Sequence, residues 1–420
     1  MPATMATVDA ILKEVYEPSI QEQLNDEVVA LRRIERSSEG VDSTVGGKYV
    51  VFPIHTARNS GVGARLESEA LPVAGNQNFA QARVPLRYQY GRLQLTGQTI
   101  ELADSNYQAF ASAMSEEVTG LKDDVAKDLN RQIYGDGSGA IGAQVVTSGT
   151  LASFVVPSVI GFQLGEKIAA GSIAAGVITV TAATVGAVIA SINPTTNTIT
   201  TTGGTGGTAM TGLAVFRADS ATANNAQLVA GTANQKEWTG LRKIVASSGV
   251  LFNIDPAAAA PATNAGWVSR VDANGGTLRA LSEGLMILNT DYVRAAGSRT
   301  SVIFCNLGVR RAYFNLLVQQ RRFTNTQQFE GGFSGLAFTT DRGEIPVVVD
   351  TDCPASTMFG LNEKEMKLYR DNDWSFMSRD GSSFSRIPNV DAYESTLFQY
   401  SELGTHRRNA HFVINDLTEA

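Results

Sequence analysis

The chain has 420 residues, 43% of them hydrophobic and only 18% charged, with 40 glycines and a formal net charge of −7. The apolar content excludes a disordered chain, the length implies two or three domains, and the acidic balance argues against a protein that grips nucleic acid through a basic face. Arginine outnumbers lysine by 25 to 9, which favours forked pairing with carboxylates over mobile ammonium contacts.

The first residues lack a basic-then-apolar export pattern, so secretion by that route is not expected. Asp9 to Tyr16 and Ile20 to Ile34 read as helix on either side of Pro18, with Ile20, Leu24, Val28, Leu31 and Ile34 on one face. Such an arm needs the body or a neighbouring chain to cover its stripe. Gly46 to Leu102 changes period. Its ends are predicted to pair as a long hairpin, Tyr49 to His55 against Gln81 to Gln98, around a polar tip. A two-stranded ribbon is marginal alone, so it too needs a partner surface.

The longest helix is predicted from Asn106 to Tyr134, where Phe110, Met114, Val118, Leu121, Val125, Leu129 and Ile133 fall at steps of three and four. At 1.5 Å per residue it is a rod of roughly 43 Å, with Ser105 as N-cap and Gly135 as stop. From Thr147 to Asn234 only Glu166, Lys167, Arg217 and Asp219 are charged, and short strand candidates alternate with Thr- and Gly-rich turns. This stretch reads as a small all-β module inserted into a host domain. Mixed α/β structure follows: helices over Gly276 to Ala296 and Gly308 to Arg322, the second with Ala312, Leu316 and Leu317 inward, and a buried strand over Ser301 to Asn306 between them. The remainder alternates strands and turns, with a hairpin turn at Asp380-Gly381.

Several patterns invite a chemical reading. Gly137 to Gly142 spells G-x-G-x-x-G, but a dinucleotide site needs a strand before the glycines and a helix after them. Here the order is reversed, so a helix stop and tight turn is expected and no cofactor. The uncharged run Ile168 to Ile192 matches a membrane span in length, yet its Gly, Ser, Thr and β-branched residues suit strands, and no membrane contact is expected. Cys305 and Cys353 form no CxxC pair and read as buried thiols. His406 and His411 fall on opposite faces of a strand, and Asp371 to Gly381 lacks the spacing of a calcium loop, so no metal is expected. Arg310-Arg311 and Arg321-Arg322 read as exposed helix arginines pairing with carboxylates of this or another chain. No catalytic constellation emerges.

The order of parts resembles the major capsid proteins of tailed bacteriophages, whose fold is shared with encapsulin shells. Helical arm, extended loop, long helix and "YGDGSGAIG" follow the family's order. "EWTGLRKIVASSG", "GGTLRALSEGLMIL", "NLGVRRAYFNLL", "GEIPVVVDTDCPASTMFGLN" and "DAYESTLFQYSELGTHRRNAHFVINDL" resemble its return into the body, axial helices, axial strands and closing strands. The resemblance implies an α+β phage major-capsid fold: arm 1–46, extended ribbon 47–102, peripheral domain with spine helix 103–146, inserted all-β domain 147–235, axial domain 236–362 and closing strands 363–420. Axial domains would gather about five- and six-fold axes with Phe323 to Gly335 facing the centre. The ribbon around His55 to Phe79 would lie over a neighbouring subunit, and arm, ribbon and spine would move together at maturation.

Contacts between copies are then expected at Arg58, Arg65, Glu67, Glu69, Arg310, Arg311, Arg321, Arg322, Phe323 and Phe329. Some relatives weld the ribbon to a neighbour through lysine. Here Lys48, at the base, is the ribbon's only lysine, so non-covalent contacts are expected instead. The implied function is a non-enzymatic shell of hexamers and pentamers enclosing double-stranded DNA without sequence-specific binding, assembled in the host cytoplasm and residing in the virion. Implied partners are further copies, a separate scaffolding protein, a portal protein and, where one exists, a decoration protein. The alternative is an encapsulin-like cargo shell; more distant are a dinucleotide-binding enzyme and a surface adhesin.

Overall fold

The computed structural model describes residues 29–38, 49–59, 61–98, 107–159, 161–174, 177–217, 236–257, 264–320, 336–341, 343–378, 381 and 384–420. Three larger sheets and a separate two-stranded ribbon are arranged around one long helix, Tyr107–Ile133.

The first sheet is built on Ala392–Thr405, a strand long enough to take partners along both sides. On one side it pairs with Arg87–Thr96 from Ser401↔Arg87 to Ala392↔Thr96. On the other it pairs with Met366–Arg370, Ser375–Phe376 and Ser385–Arg386. Glu35–Ser37 adds a parallel strand to Met366–Arg370 just after the short helix Val29–Arg33. The long helix passes over this sheet at Gly91, where a Cβ would stand 3.1 Å from both Leu121 Cδ1 and Val125 Cγ2. Absence of a side chain there lets the two elements approach.

The third sheet runs in the order Arg270–Asp272, Phe412–Ile414, Met358–Leu361, Val302–Cys305, Gly343–Val349, Leu336–Thr340. Period-2 alternation divides its side chains. Val302, Phe304, Phe359, Leu361 and Val413 face the core shared with the long helix, Trp238 and Leu241. Ile303, Cys305, Val347, Met358, Phe412 and Ile414 face a second core under the helices Glu283–Ala295 and Leu307–Gln320. Gly360 lies opposite Phe412, whose ring occupies the space a Cβ would need. Ser282 caps the first helix by accepting from Leu285 N, so helix starts at Glu283 rather than near Gly276. In the second helix Val309 and Tyr313 are the buried residues, with Leu316 and Leu317 packed beside them.

The uncharged stretch forms an eight-stranded sheet with its own core of Ile141, Leu151, Phe154, Ile168, Ile189 and Ile199. Its entering strand, Ala140–Val145, precedes the change in composition and pairs with its leaving strand, Ala214–Arg217. Ile168 to Ile192 is divided among Lys167–Ala174, Val177–Val180 and Ala187–Asn193, and among the described residues no helix is long and apolar enough to cross a membrane. The ribbon pairs Tyr49–Ala57 with Asn78–Pro85. This differs from the expected pairing out to Gln98: the alternation continues past Pro85, but proline offers no N–H to a ladder and the chain changes partner there. Most of the arm, Ser105, Asp380 and residues 321–335 lie outside the described residues; Gly381 has a φ of +81°.

Candidate functional site

The ribbon is held at its base and projects beyond it. Val50, Ala82 and Val84 are buried in the main core. Phe52 meets the His406 ring edge-on at 4.7 Å, and the Tyr369 hydroxyl lies 2.6 Å from His406 Nε2. At Pro85–Arg87 the chain enters the first sheet, where Arg87 Nε donates to the buried Glu402 carboxylate at 3.0 Å. Glu402 also accepts from Thr239 N at 2.6 Å and Leu403 N at 3.0 Å. Burial nevertheless lifts its carboxyl to about 7, against the pull of Arg87 and those amides.

Further out the ribbon changes character. Val62, Leu66, Leu71 and Val73 are 86, 82, 84 and 88% exposed, and Phe79 is 68% exposed. The tip is folded by its own polar residues. Arg65 donates to Ala70 O (2.9 Å) and Ala64 O (3.0 Å), while the Glu69 carboxylate accepts from Leu66 N (2.9 Å) around Ser68 at φ +67°. A patch of large apolar side chains on a shaped arm marks an interaction surface.

A second constellation sits where the long helix, the β module and the chain's return into the body meet. Arg131 bridges Asp128 at 3.0 Å and Glu237 at 2.5 Å, and Arg217 pairs with both Asp128 and Glu166. Burial would raise Asp128, but Arg131 and Arg217 outweigh it and hold the carboxyl low. Burial prevails at Glu237 and Glu166 and raises both. Three carboxylates against two guanidiniums make an anchoring joint rather than a catalytic pair, since each acid is already engaged by arginine. The same joint stops the helix. Gly135 N donates to Gln132 O at 3.0 Å, Arg242 N donates to Gly135 O at 3.1 Å, and Gly240 lies so close that a Cβ would overlap Gly135 O.

That geometry disposes of the nucleotide motif. Gly137 and Gly139 adopt φ of +79° and +82°, Asp136 accepts from Ser138 N at 2.9 Å, and a strand begins at Ala140. A helix ends before the glycines and a strand follows them, the reverse of the strand-then-helix order of a dinucleotide turn.

Against the family models, residues 217–418 match the one described as "SU10 major capsid protein". Just under half of the chain is thus similar to a major capsid protein family. Its fold is similar to the solved "Cyanophage A-1(L) capsid asymmetric unit", at 16% identity and a TM-score of 0.52 over 92% of this chain and 90% of that one. "The capsid of Myoviridae Phage XM1" matches at 9% identity and a TM-score of 0.40 over 92% and 90% of the two chains. No curated protein matches.

In this chain Arg58, Arg65, Glu67 and Glu69 are all exposed on the outer ribbon, with Arg65 and Glu69 engaged in shaping the tip. Arg311 is exposed and Arg310 half-buried on the Leu307–Gln320 helix, remote in sequence from the ribbon group. Arg321, Arg322, Phe323 and Phe329 lie outside the described residues. Cys305 and Cys353 are buried, and burial pushes Cys305 up to about 12. Among the described residues no three His, Cys, Asp or Glu side chains are grouped to hold a metal. His411 is buried between Asn362 N (3.2 Å) and Thr405 Oγ1 (3.0 Å), a structural histidine driven by burial down to about 3.

The residue that sequence reasoning missed is Arg408. It is 1% exposed, and Nε, Nη1 and Nη2 donate to the carbonyls of Ile244, Gly249, Trp267, Lys243 and Ser248 at 2.9–3.1 Å. No sequence signal marks it, because its acceptors are backbone oxygens more than a hundred residues upstream.

Proposed function

We propose that this chain assembles as the hexamers and pentamers of an icosahedral head that encloses double-stranded DNA without sequence-specific binding. Its role is structural, with no catalytic step and no cofactor. Residues 236–362 gather about the ring axis, residues 47–102 lie over the neighbouring subunit, and residues 1–46 reach across the capsomer. The inserted residues 147–235 brace or coat the shell. Assembly takes place in the host cytoplasm with a separate scaffolding protein and a portal protein, and a decoration protein can join afterwards.

The observation that carries this reading is the ribbon: a shaped arm whose base is fixed in the core while its far end exposes Val62, Leu66, Leu71 and Val73. Each such side chain is worth about 1.5–3 kcal/mol once a neighbour covers it. An acidic chain with net charge −7 also suits a wall that does not hold the packaged DNA. The test is a full-length Leu66→Asp/Leu71→Asp variant beside wild type, expressed with and without a scaffold and read by sedimentation and negative-stain electron microscopy. The variant is expected to remain a folded subunit and to build no shells. Shells at wild-type yield sink the ribbon's assigned role.

A further inference from the structure

The two helices over the outer face of the third sheet each expose an apolar stripe with one charge at its centre. On Glu283–Ala295, Ile287, Leu288, Asp291 and Tyr292 fall at i, i+1, i+4 and i+5 and so share a face. Ile287, Leu288 and Tyr292 are 43, 54 and 40% exposed, the Arg270 guanidinium lies over the Tyr292 ring at 5.4 Å, and Asp291 makes no ion pair among the described residues. On Leu307–Gln320 the corresponding stripe is Leu307, Arg311 and Phe314, with Leu307 half exposed and Arg311 in no ion pair among the described residues.

Beside Asp291 a cleft of about 320 Å³ runs between the helix and the Thr339–Asp341 turn. Arg294 closes one side by pairing with Asp341. Thr300, 3% exposed, lines the cleft with a buried hydroxyl that has no hydrogen-bond partner. The cleft therefore has room for an incoming side chain beside Asp291.

Two stripes of the same kind cannot meet well, because each would bring like charges together. Stripes of different kind match in both apolar surface and charge. We propose that the Glu283–Ala295 face of one copy docks on the Leu307–Gln320 face of the next, with Asp291 against the neighbour's Arg311. The contact is head-to-tail: each copy retains one unmatched stripe until a ring closes. It thereby fixes the order and direction of subunits around a capsomer. The inference rests on the shell reading and assigns that reading a specific pair.

The test uses full-length Asp291→Arg, Arg311→Asp and the double variant, each checked for folding by thermal unfolding and assayed for rings and shells by sedimentation. Each single change sets like charges against each other and is expected to lower assembled yield about tenfold, and the double to recover to within about threefold of wild type. Asp291→Asn is a second probe that removes the charge without reversing it, with a loss of about threefold expected. Single variants that assemble like wild type overturn the contact, as does a folded double that stays dispersed. If wild type itself yields neither rings nor shells, the shell reading fails and this contact with it.

Discussion

Arg408 gives every guanidinium N–H to a main-chain carbonyl, and none to a carboxylate. Burial pulls it down to about 10, yet the five acceptors keep it charged in the neutral range. The return segment 241–254 is thus tied to the end of the chain by one side chain. An ammonium has three donors where five carbonyls wait, so Arg408→Lys is expected to destabilise the unassembled subunit by about 2–4 kcal/mol in urea titration. Glu402 and His411 act on stability in opposite directions. Glu402 has its folded value raised from 4.5 to about 7, so its contribution is full below pH 4.5 and is lost as pH rises through 7. His411 is depressed from 6.5 to about 3, so its contribution is present above pH 6.5 and is lost as pH falls through 3. Glu402→Gln keeps an acceptor for Thr239 N and Leu403 N. Between pH 5 and 8 the wild-type subunit is expected to lose about 3 kcal/mol relative to this variant, and parallel stability curves exclude Glu402 as the cause.

Among the elements, the long helix was legible because two independent signals agreed: a seven-residue stripe at helical spacing and a glycine stop. The observed limits, Tyr107–Ile133, fall within a residue of those read from the pattern. The ribbon was legible only in part. Alternation is the same in Asn78–Pro85 and Arg87–Thr96, and nothing local records that the first pairs with Tyr49–Ala57 and the second with Ala392–Thr405. The ionic joint was not legible at all, since Asp128, Arg131, Glu166, Arg217 and Glu237 meet only after the whole β module has been crossed. Gly240 belongs to this scale as well. Its missing Cβ lets the return segment press on the helix end, with Gln132 O at 2.6 Å from where that atom would be. Gly240→Ala is expected to cost about 3 kcal/mol by forcing the two apart, read as a lower denaturation midpoint with an unchanged slope.

For the whole molecule, the polar and apolar surfaces divide the work. The ribbon and the two helix stripes carry many of the large apolar residues left open, while the joint and the Arg408 tie fix elements of the body to one another. The β module stands apart in one respect: the chain enters it at Ala140–Val145 and leaves it at Ala214–Arg217, and those two strands are direct antiparallel neighbours. A segment whose ends lie side by side can be lengthened or shortened between them, provided that Glu166 and Arg217 keep their place in the joint with Asp128 of the long helix. The paired strands therefore form a stub on which the loops between them can vary in length while the core beneath stays as it is.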